Sequence, residues 1–243
     1  MITSETPINV PFTGGDYEIT YRIINPDNTS TLDVIPDTDD WINGIITDQE
    51  GVVLFHVDEN SSSEARQCTL TLTYGNAESS VSINQEKKKS GAYDEEFHAT
   101  CLDGFYYGDA YSPGAGNYWF FLSDKGLDED GNALPNGTYF RIDLYAAIAE
   151  DPDNARIPVG TYSLDPSPVA SCAEGTFSRQ NSSYFTTDSN GETVRSRVFD
   201  NATLVVSKSG DGYLIELTCT TNEENITRYV YYNGDIILEN QAF

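Results

Sequence analysis

Short segments in which apolar and polar residues alternate recur along most of the chain, and turn-forming residues separate them. In the first third these segments are YEITYRII, GVVLFHV, CTLTLTY and VSINQ, with TGGD, NPDN, DENSSS and YGNAES between them. A strand places alternate side chains on opposite faces, so each segment is predicted to be a strand with one buried face. No window of about eleven residues shows a convincing helical period. The sequence therefore predicts an all-β protein.

The 243 residues are long enough for two domains. Residues 1–86 are predicted to form an immunoglobulin-like β-sandwich, residues 87–92 a linker, and residues 93–243 a larger antiparallel β-barrel or β-sandwich domain. The boundary falls at EKKKSGA, the only cationic cluster of the chain. In the larger domain we predict about ten strands, near 96–107, 117–123, 138–148, 158–165, 174–178, 182–187, 194–207, 212–220, 226–233 and 235–239.

The charge balance limits the classes of partner. Thirteen Lys and Arg face 39 Asp and Glu, which gives a net charge of −26. Nucleic acid and anionic membrane surfaces require cationic patches, so we expect no nucleic-acid partner and no binding to such a membrane. No apolar run approaches the roughly 18 residues that span a bilayer, so we expect no direct membrane insertion of these residues.

The segment GNYWFFLSD, residues 116–124, is the most aromatic part of the chain and raises the question of what covers it. As a strand it places Tyr118, Phe120 and Leu122 on one face and Trp119 and Phe121 on the other. Its predicted hairpin partner is TYFRIDLYAAI. One face of that partner is apolar, with Phe140, Ile142, Leu144 and Ala146; the other carries Tyr139, Arg141, Asp143 and Tyr145.

If the two strands pair, the second set lies beside Trp119 and Phe121. Such a surface suits a sugar, because aromatic faces cover the apolar side of a pyranose and charged planar groups bond its hydroxyls. The candidate ligand-binding residues are Trp119, Phe121, Tyr139, Arg141, Asp143 and Tyr145. The alternative is that protein covers this face, and aromatic strands favour that reading. Tyr106, Tyr107 and Tyr111 in FYYGDAY form a further cluster beside a turn that suits contact with a glycan or a protein.

The segment VLFHVDENSSSEARQCTLTLTYGNAESSVSINQ resembles a BACON domain, the Bacteroidetes-associated, carbohydrate-binding, often N-terminal module. The matching features lie within residues 1–86: Phe12 with Gly14 and Gly15, Trp41 after an acidic turn, Asn60, Arg66 and Gln85. The segment YRIINPDNTS departs from the commonest pattern by its length. Trp41 is expected to be a core residue, Arg66 to pair with an acidic neighbour of the DEN turn, and Gln85 to satisfy backbone groups.

The resemblance implies an exported surface or periplasmic protein linked to polysaccharide use, an outer-membrane lipoprotein anchored through a lipid upstream of these residues. Residues 93–243 are loosely similar to uncharacterised β-rich modules of such lipoproteins, from which no site transfers. The expected function is non-enzymatic, carbohydrate binding or cell adhesion, with a glycan or a surface protein as partner. The alternatives are a non-binding scaffold or spacer, and a lipocalin-like small-ligand binder with a cavity lined by Phe140, Ile142 and Leu144.

Metal binding and catalysis have little support in the sequence, and no cofactor is expected. Asp124, Asp128 and Asp130 precede or flank Gly131 in a weak Ca²⁺-loop pattern, but an EF-hand register would put glycines at both terminal ligand positions. The GxSxG, HExxH and P-loop motifs are absent, and the only histidines are His56 and His98. We therefore predict that the protein is not an enzyme.

The four cysteines form no CxxC pair. Cys68 is in phase with the apolar residues of its strand and is expected in the core. Among Cys101, Cys172 and Cys219, one disulfide is expected, and the sequence leaves its pairing open.

Overall fold

The computed structural model describes residues 6–27, 29–38, 40–88, 93–167, 169, 171–210 and 212–242. These residues form strands, one short 3-10 turn and no α-helix, so none of their helices is of a length and hydropathy to cross a membrane. The strands fall into two compact units. Residues 89–92 of the predicted linker lie outside the described residues.

The first unit is an immunoglobulin-like β-sandwich of two facing sheets. Its strands are β1 (Ile8–Val10), β2 (Gly15–Thr20), β3 (Leu32–Pro36), β4 (Ile42–Ile46), β5 (Val52–Val57), β6 (Arg66–Tyr74) and β7 (Ala77–Gln85). One sheet has the order β1-β7-β6-β3 and the other β2-β5-β4. The inward-facing residues of both sheets, among them Ile19, Phe55, Leu70 and Ile83, form one core. The sequence did not reveal β1, β3 and β4, because segments of three to five residues are too short to show a clear alternation.

The second unit is a β-barrel. Its strands are β8 (Glu95–His98), β9 (Cys101–Tyr106), β10 (Gly116–Ser123), β11 (Thr138–Ala146), β12 (Gly160–Asp165), β13 (Thr176–Ser178), β14 (Ser183–Thr187), β15 (Thr193–Ser209), β16 (Gly212–Thr221), β17 (Thr227–Gly234) and β18 (Glu239–Asn240). The sheet order is β18-β9-β10-β11-β13-β12-β15-β16-β17-β8, and β14 pairs with both β11 and β15. Most pairs are antiparallel, as predicted; β8 with β17, β12 with β13, and β9 with β18 are parallel.

Two consecutive residues close the barrel. The backbone N–H of Ala99 donates to Tyr231 O of β17, and the backbone N–H of Thr100 donates to Ser123 O of β10. Residues 95–106 therefore act as one bent strand whose first half, β8, completes one side of the sheet and whose second half, β9, completes the other. This closure joins strands that lie more than a hundred residues apart in the chain.

The barrel interior is filled by side chains. Phe140, Ile142 and Leu144 are fully buried in one cluster with Tyr118 and Phe120 of β10. These are the side chains that the lipocalin-like alternative requires to line an open cavity, and here they pack against each other and their neighbours. The prediction that this face of the hairpin packs on the core is confirmed.

Candidate functional site

The hairpin of β10 and β11 has the register that the sequence suggested. Trp119 lies opposite Asp143, and Phe121 lies opposite Arg141. Since residues opposite each other in a sheet share a face, the outer face of the hairpin carries all six candidate residues. What lies over this face differs between its two ends.

Protein covers the end of the hairpin near the 124–137 loop. Tyr139 is 0% exposed, and its ring stacks on Phe185 of β14 with centroids 4.9 Å apart. Its hydroxyl lies 2.9 Å from the carbonyl oxygens of both Gly126 and Leu134. Burial raises the pKa of Tyr139 to about 12. Phe121 is buried in the same small cluster. Neither ring has a face open to a ligand, because β14 and the loop occupy that space.

The other end of the face opens into a recess of about 240 Å³. Four of the residues that line it are aromatic and three carry an amide or a carboxylate: Tyr107, Tyr111, Trp119, Tyr145, Asn117, Asp143 and Asn181. Trp119 is half-buried, whereas Tyr111 is 61% exposed. We call this cavity the Trp119 recess. Of the six candidates, it contains Trp119, Asp143 and Tyr145.

Asp143 lies at the floor of the Trp119 recess and is only 3% exposed. Its Oδ1 accepts a hydrogen bond of 2.7 Å from Asn117 Nδ2, and its Oδ2 accepts one of 2.9 Å from Asn181 Nδ2. The Tyr145 hydroxyl also donates to Oδ2, at 3.4 Å. The backbone N–H of Asp143 donates to Ser182 Oγ at 3.0 Å. The carboxylate is thus fixed by neutral donors from three segments of the barrel.

Arg141 lies next to the recess without lining it. Its Nε donates to the backbone carbonyl of Asn181 at 2.7 Å, and its guanidinium carbon lies 6.0 Å from the centre of the Trp119 ring. Burial lowers the pKa of Arg141, an effect that the nearby Asp143 partly opposes. The sequence left a structural ion pair with Asp143 as an alternative; the hydrogen bonds described for the carboxylate come instead from amides and a tyrosine.

Aromatic neighbours orient Trp119. Its ring packs edge-to-face on Phe121 at 4.8 Å and stacks with Phe105 of β9 at 6.0 Å. Tyr107 and Tyr111 follow β9 in a loop and pack edge-to-face with centroids 5.5 Å apart. The rings of β9, of the loop that follows it and of β10 thus lie together on the outer face of the barrel.

The two tyrosines of this loop are candidates from the sequence, whereas Asn117 and Asn181 are not. The alternation of the strand could have identified Asn117, since it lies two residues before Trp119 and therefore on the same face of β10. No sequence pattern identifies Asn181, because it lies in the turn before β14, far along the chain from the hairpin that it contacts.

The weak Ca²⁺ pattern does not form a ligand cluster. Asp128 Oδ1 accepts hydrogen bonds from the backbone N–H groups of Asp130 and Asn132, and these bonds hold the pKa of Asp128 below its ordinary value. Asp124 Oδ1 accepts from the backbone N–H of Thr138. Within the described ranges, no group of three or more His, Cys, Asp or Glu side chains could hold a metal ion. The carboxylates of Asp124 and Asp128 thus accept hydrogen bonds from the backbone of the loop and its flanking strand.

The expected disulfide is wrong, because none of the four cysteines forms a disulfide. Cys101 lies opposite Ser123 at one end of β10. Cys172 contacts Tyr145, which pairs with Asn117 at the other end. Six residues of strand separate the two ends, which is about 20 Å, whereas a disulfide needs Cα atoms within about 7 Å. Cys219 is buried in the barrel core, as Cys68 is in the core of the sandwich, where the sequence predicted it.

The residues that carry the BACON resemblance bond to the backbone of their own unit. Trp41 belongs to the sandwich core, as expected, and the Arg66 guanidinium lies 4.5 Å from its ring centre. Arg66 donates to the carbonyl oxygens of Asp58 and Glu59 rather than to their carboxylates, which corrects the expected ion pair. Gln85 Nε2 lies within hydrogen-bonding distance of three backbone carbonyls, as predicted.

Comparisons with known proteins add little to this geometry. No protein-family model and no curated protein matches the chain. Among solved structures it is similar to a chimeric titin Z1Z2 fragment, with a TM-score of 0.32, 9% identity, and coverage of 98% of this chain and 96% of that one. A family 107 endo-fucoidan hydrolase has a TM-score of 0.27 and 10% identity over 97% of this chain and 43% of the hydrolase. Likenesses this weak assign no activity or partner.

Proposed function

We propose that this is a non-enzymatic glycan-binding protein and that the Trp119 recess is its binding site. The observation that carries the proposal is the combination of four aromatic rings with a buried, hydrogen-bonded carboxylate in one solvent-accessible cavity. Ring faces suit the apolar C–H side of a pyranose, and the carboxylate with its two amides suits the hydroxyls. Ligand sites in general combine mostly apolar walls with a few fixed polar groups.

Binding rather than hydrolysis is supported by the number of acids in the recess. A glycosidase of the common kinds needs two carboxyl groups facing each other across the scissile bond. Asp143 is the one carboxylate among the seven lining residues. His56 and His98 lie in different units, the first 2.7 Å from Asp16 and the second stacked on Tyr231.

The sandwich is proposed to act as a spacer. Its motif residues Arg66 and Gln85 are engaged with its own backbone, which supports a structural part for them. The resemblance to BACON domains supports an exported protein of the cell surface or periplasm, anchored as a lipoprotein and linked to polysaccharide use.

The experiment is isothermal titration of the full chain with a panel of plant, host and microbial polysaccharides. We expect one glycan class to bind, and Tyr111→Ala and Trp119→Ala to abolish binding while circular dichroism stays native. Tyr74→Ala, which truncates a half-buried tyrosine of the sandwich, is the matched control and should bind normally. Binding lost in Tyr74→Ala and kept in Trp119→Ala would place the site in the sandwich and refute the proposal. No binding by any glycan would refute it as well.

A further inference from the structure

The amide and carboxylate groups that the Trp119 recess offers to a ligand act mainly as acceptors, whereas the hydroxyls of Tyr107 and Tyr111 can donate or accept. Asn117 uses both N–H groups of its amide, on Asp143 and on the carbonyl of Leu144, and Asn181 uses one N–H on Asp143. The Tyr145 hydroxyl also donates to Asp143. Within the described part of the chain, no hydrogen bond reaches the Oδ1 atom of either asparagine. A ligand that satisfies this lining must therefore donate hydrogen bonds.

The recess also carries a negative charge that its own contacts do not neutralise. Asp143 is 3% exposed, and its three side-chain partners are neutral. A buried carboxylate without a cation in contact is costly, so such a group is a functional-site candidate. Arg141 lies close enough to offset part of this charge, but it donates to a backbone carbonyl and does not line the recess.

Burial is the largest cause of the raised pKa of two tyrosines that line the recess, and Asp143 adds to the shift of both. The pKa of Tyr107 is raised, chiefly by burial, and further by Tyr111, Glu239 and Asp143. The pKa of Tyr145 is also raised by burial, and its contacts with Cys172 and Asp143 add to the effect. Both hydroxyls stay protonated at neutral pH, so their rings remain neutral and present a negative face.

Four aromatic rings line the recess together with the carboxylate, and aromatic faces attract cations most strongly where water is partly excluded. Resting on the proposed function, we infer that the recess selects glycans whose sugars carry a free amino group, that is, deacetylated amino sugars. The ammonium group supplies three hydrogen-bond donors to an acceptor lining and a positive charge to Asp143 and the rings. N-acetylation removes the charge, and uronates or sulfates would bring a like charge to the carboxylate.

The test uses oligosaccharides of chitosan, chitin and cellulose, which share one β-linked glucose backbone and differ at C2 in an amine, an acetamide or a hydroxyl. Titrated into the full chain, the chitosan form should bind about tenfold more tightly than the other two. Asp143→Asn should remove most of that preference. Asp130→Asn is the matched control, since it makes the same charge change at an exposed loop residue outside the recess and should keep the preference.

Each result decides the inference. Equal binding of the three oligosaccharides would overturn the amine preference and leave glycan binding in place. Chitosan binding that persists unchanged in Asp143→Asn would be unspecific attraction of a polycation to an acidic protein, and would also overturn the inference. Failure of chitosan to bind overturns it too; the polysaccharide panel then decides separately whether the proposed function stands.

Discussion

Tyr139→Phe tests whether the 124–137 loop is fixed over the outer face of the hairpin by one hydroxyl. The substitution keeps the ring that stacks on Phe185 and removes only the O–H group that lies 2.9 Å from the carbonyls of Gly126 and Leu134. A single proton serves these two acceptors, so the loss is that of one full hydrogen bond. Each carbonyl keeps a second donor, since Gly126 O also accepts from the backbone N–H of Leu134 and Leu134 O also accepts from the Thr187 hydroxyl.

The expected destabilisation follows from these contacts. A typical buried hydrogen bond contributes about 1 kcal/mol net, and no acceptor is left unsatisfied here. We expect the free energy of unfolding of the barrel to fall by about 1 kcal/mol. For a urea dependence of about 2 kcal/mol/M, the midpoint of barrel unfolding would drop by about 0.5 M.

The two units can be followed separately, because Trp41 lies in the sandwich and Trp119 in the barrel. Fluorotryptophan labelling gives one ¹⁹F resonance for each, and the Trp119 resonance should lose its native intensity at the lower urea concentration. Tyr111→Phe is the matched control, since Tyr111 is 61% exposed, and should leave the midpoint unchanged. Equal midpoints for the two variants would refute the idea that the Tyr139 hydroxyl holds the loop. Glycan binding by Tyr139→Phe should remain, because the recess is at the opposite end of the hairpin.

Two further predictions concern stability. Gln85→Leu should lower the free energy of unfolding of the sandwich by about 1–3 kcal/mol, because it leaves the part-buried Arg66 Nε donor without its acceptor. The three carbonyls within reach of Gln85 Nε2 keep other donors, which are the backbone N–H groups of Gly14 and Asn60 and the Nη2 of Arg66. Urea unfolding followed by the Trp41 resonance measures the change, and the exposed Gln67→Leu should be near neutral. Burial raises the pKa of both Tyr139 and Tyr162 to about 12 from the ordinary 10.0, so the folded state favours the neutral phenol. The contribution of these two hydroxyls to the free energy of unfolding is complete below about pH 10 and is lost as pH rises from 10 through 12. Urea midpoints measured across this pH window should fall as tyrosinate absorbance appears. A midpoint that does not change with pH in this window would contradict the burial of these hydroxyls.

Much of the hairpin could be predicted from the sequence, because alternation is strong in both β10 and β11 and fixes which residues share a face. The sequence did not show which part of that face is covered. The cover comes from Phe185 of β14 and from the 124–137 loop, and no local pattern in either one identifies its partner. Asp143 was a candidate from its position alone, but its role at the floor of the recess depends on Asn181, which approaches from a distant turn.

In the sandwich, the long strands β6 and β7 were predictable because nine residues each give a full alternation. β4, with the sequence INGII, was not, since a glycine and two adjacent isoleucines break the pattern. The prediction of a disulfide was wrong because the number of cysteines carries no information about which end of a strand each thiol occupies.

The bent strand that closes the barrel sets an order of assembly during translation. β8 is among the first parts of the barrel to leave the ribosome, and its partner β17 is synthesised about 130 residues later, as the register Glu95 with Arg228 shows. Closing a loop of that length costs conformational entropy before any contact is gained, and contacts between distant residues slow folding. Until Gly234 has left the ribosome, β8 has no β17 to pair with. The nascent barrel therefore exposes one unpaired strand edge for most of the time that the chain is being synthesised.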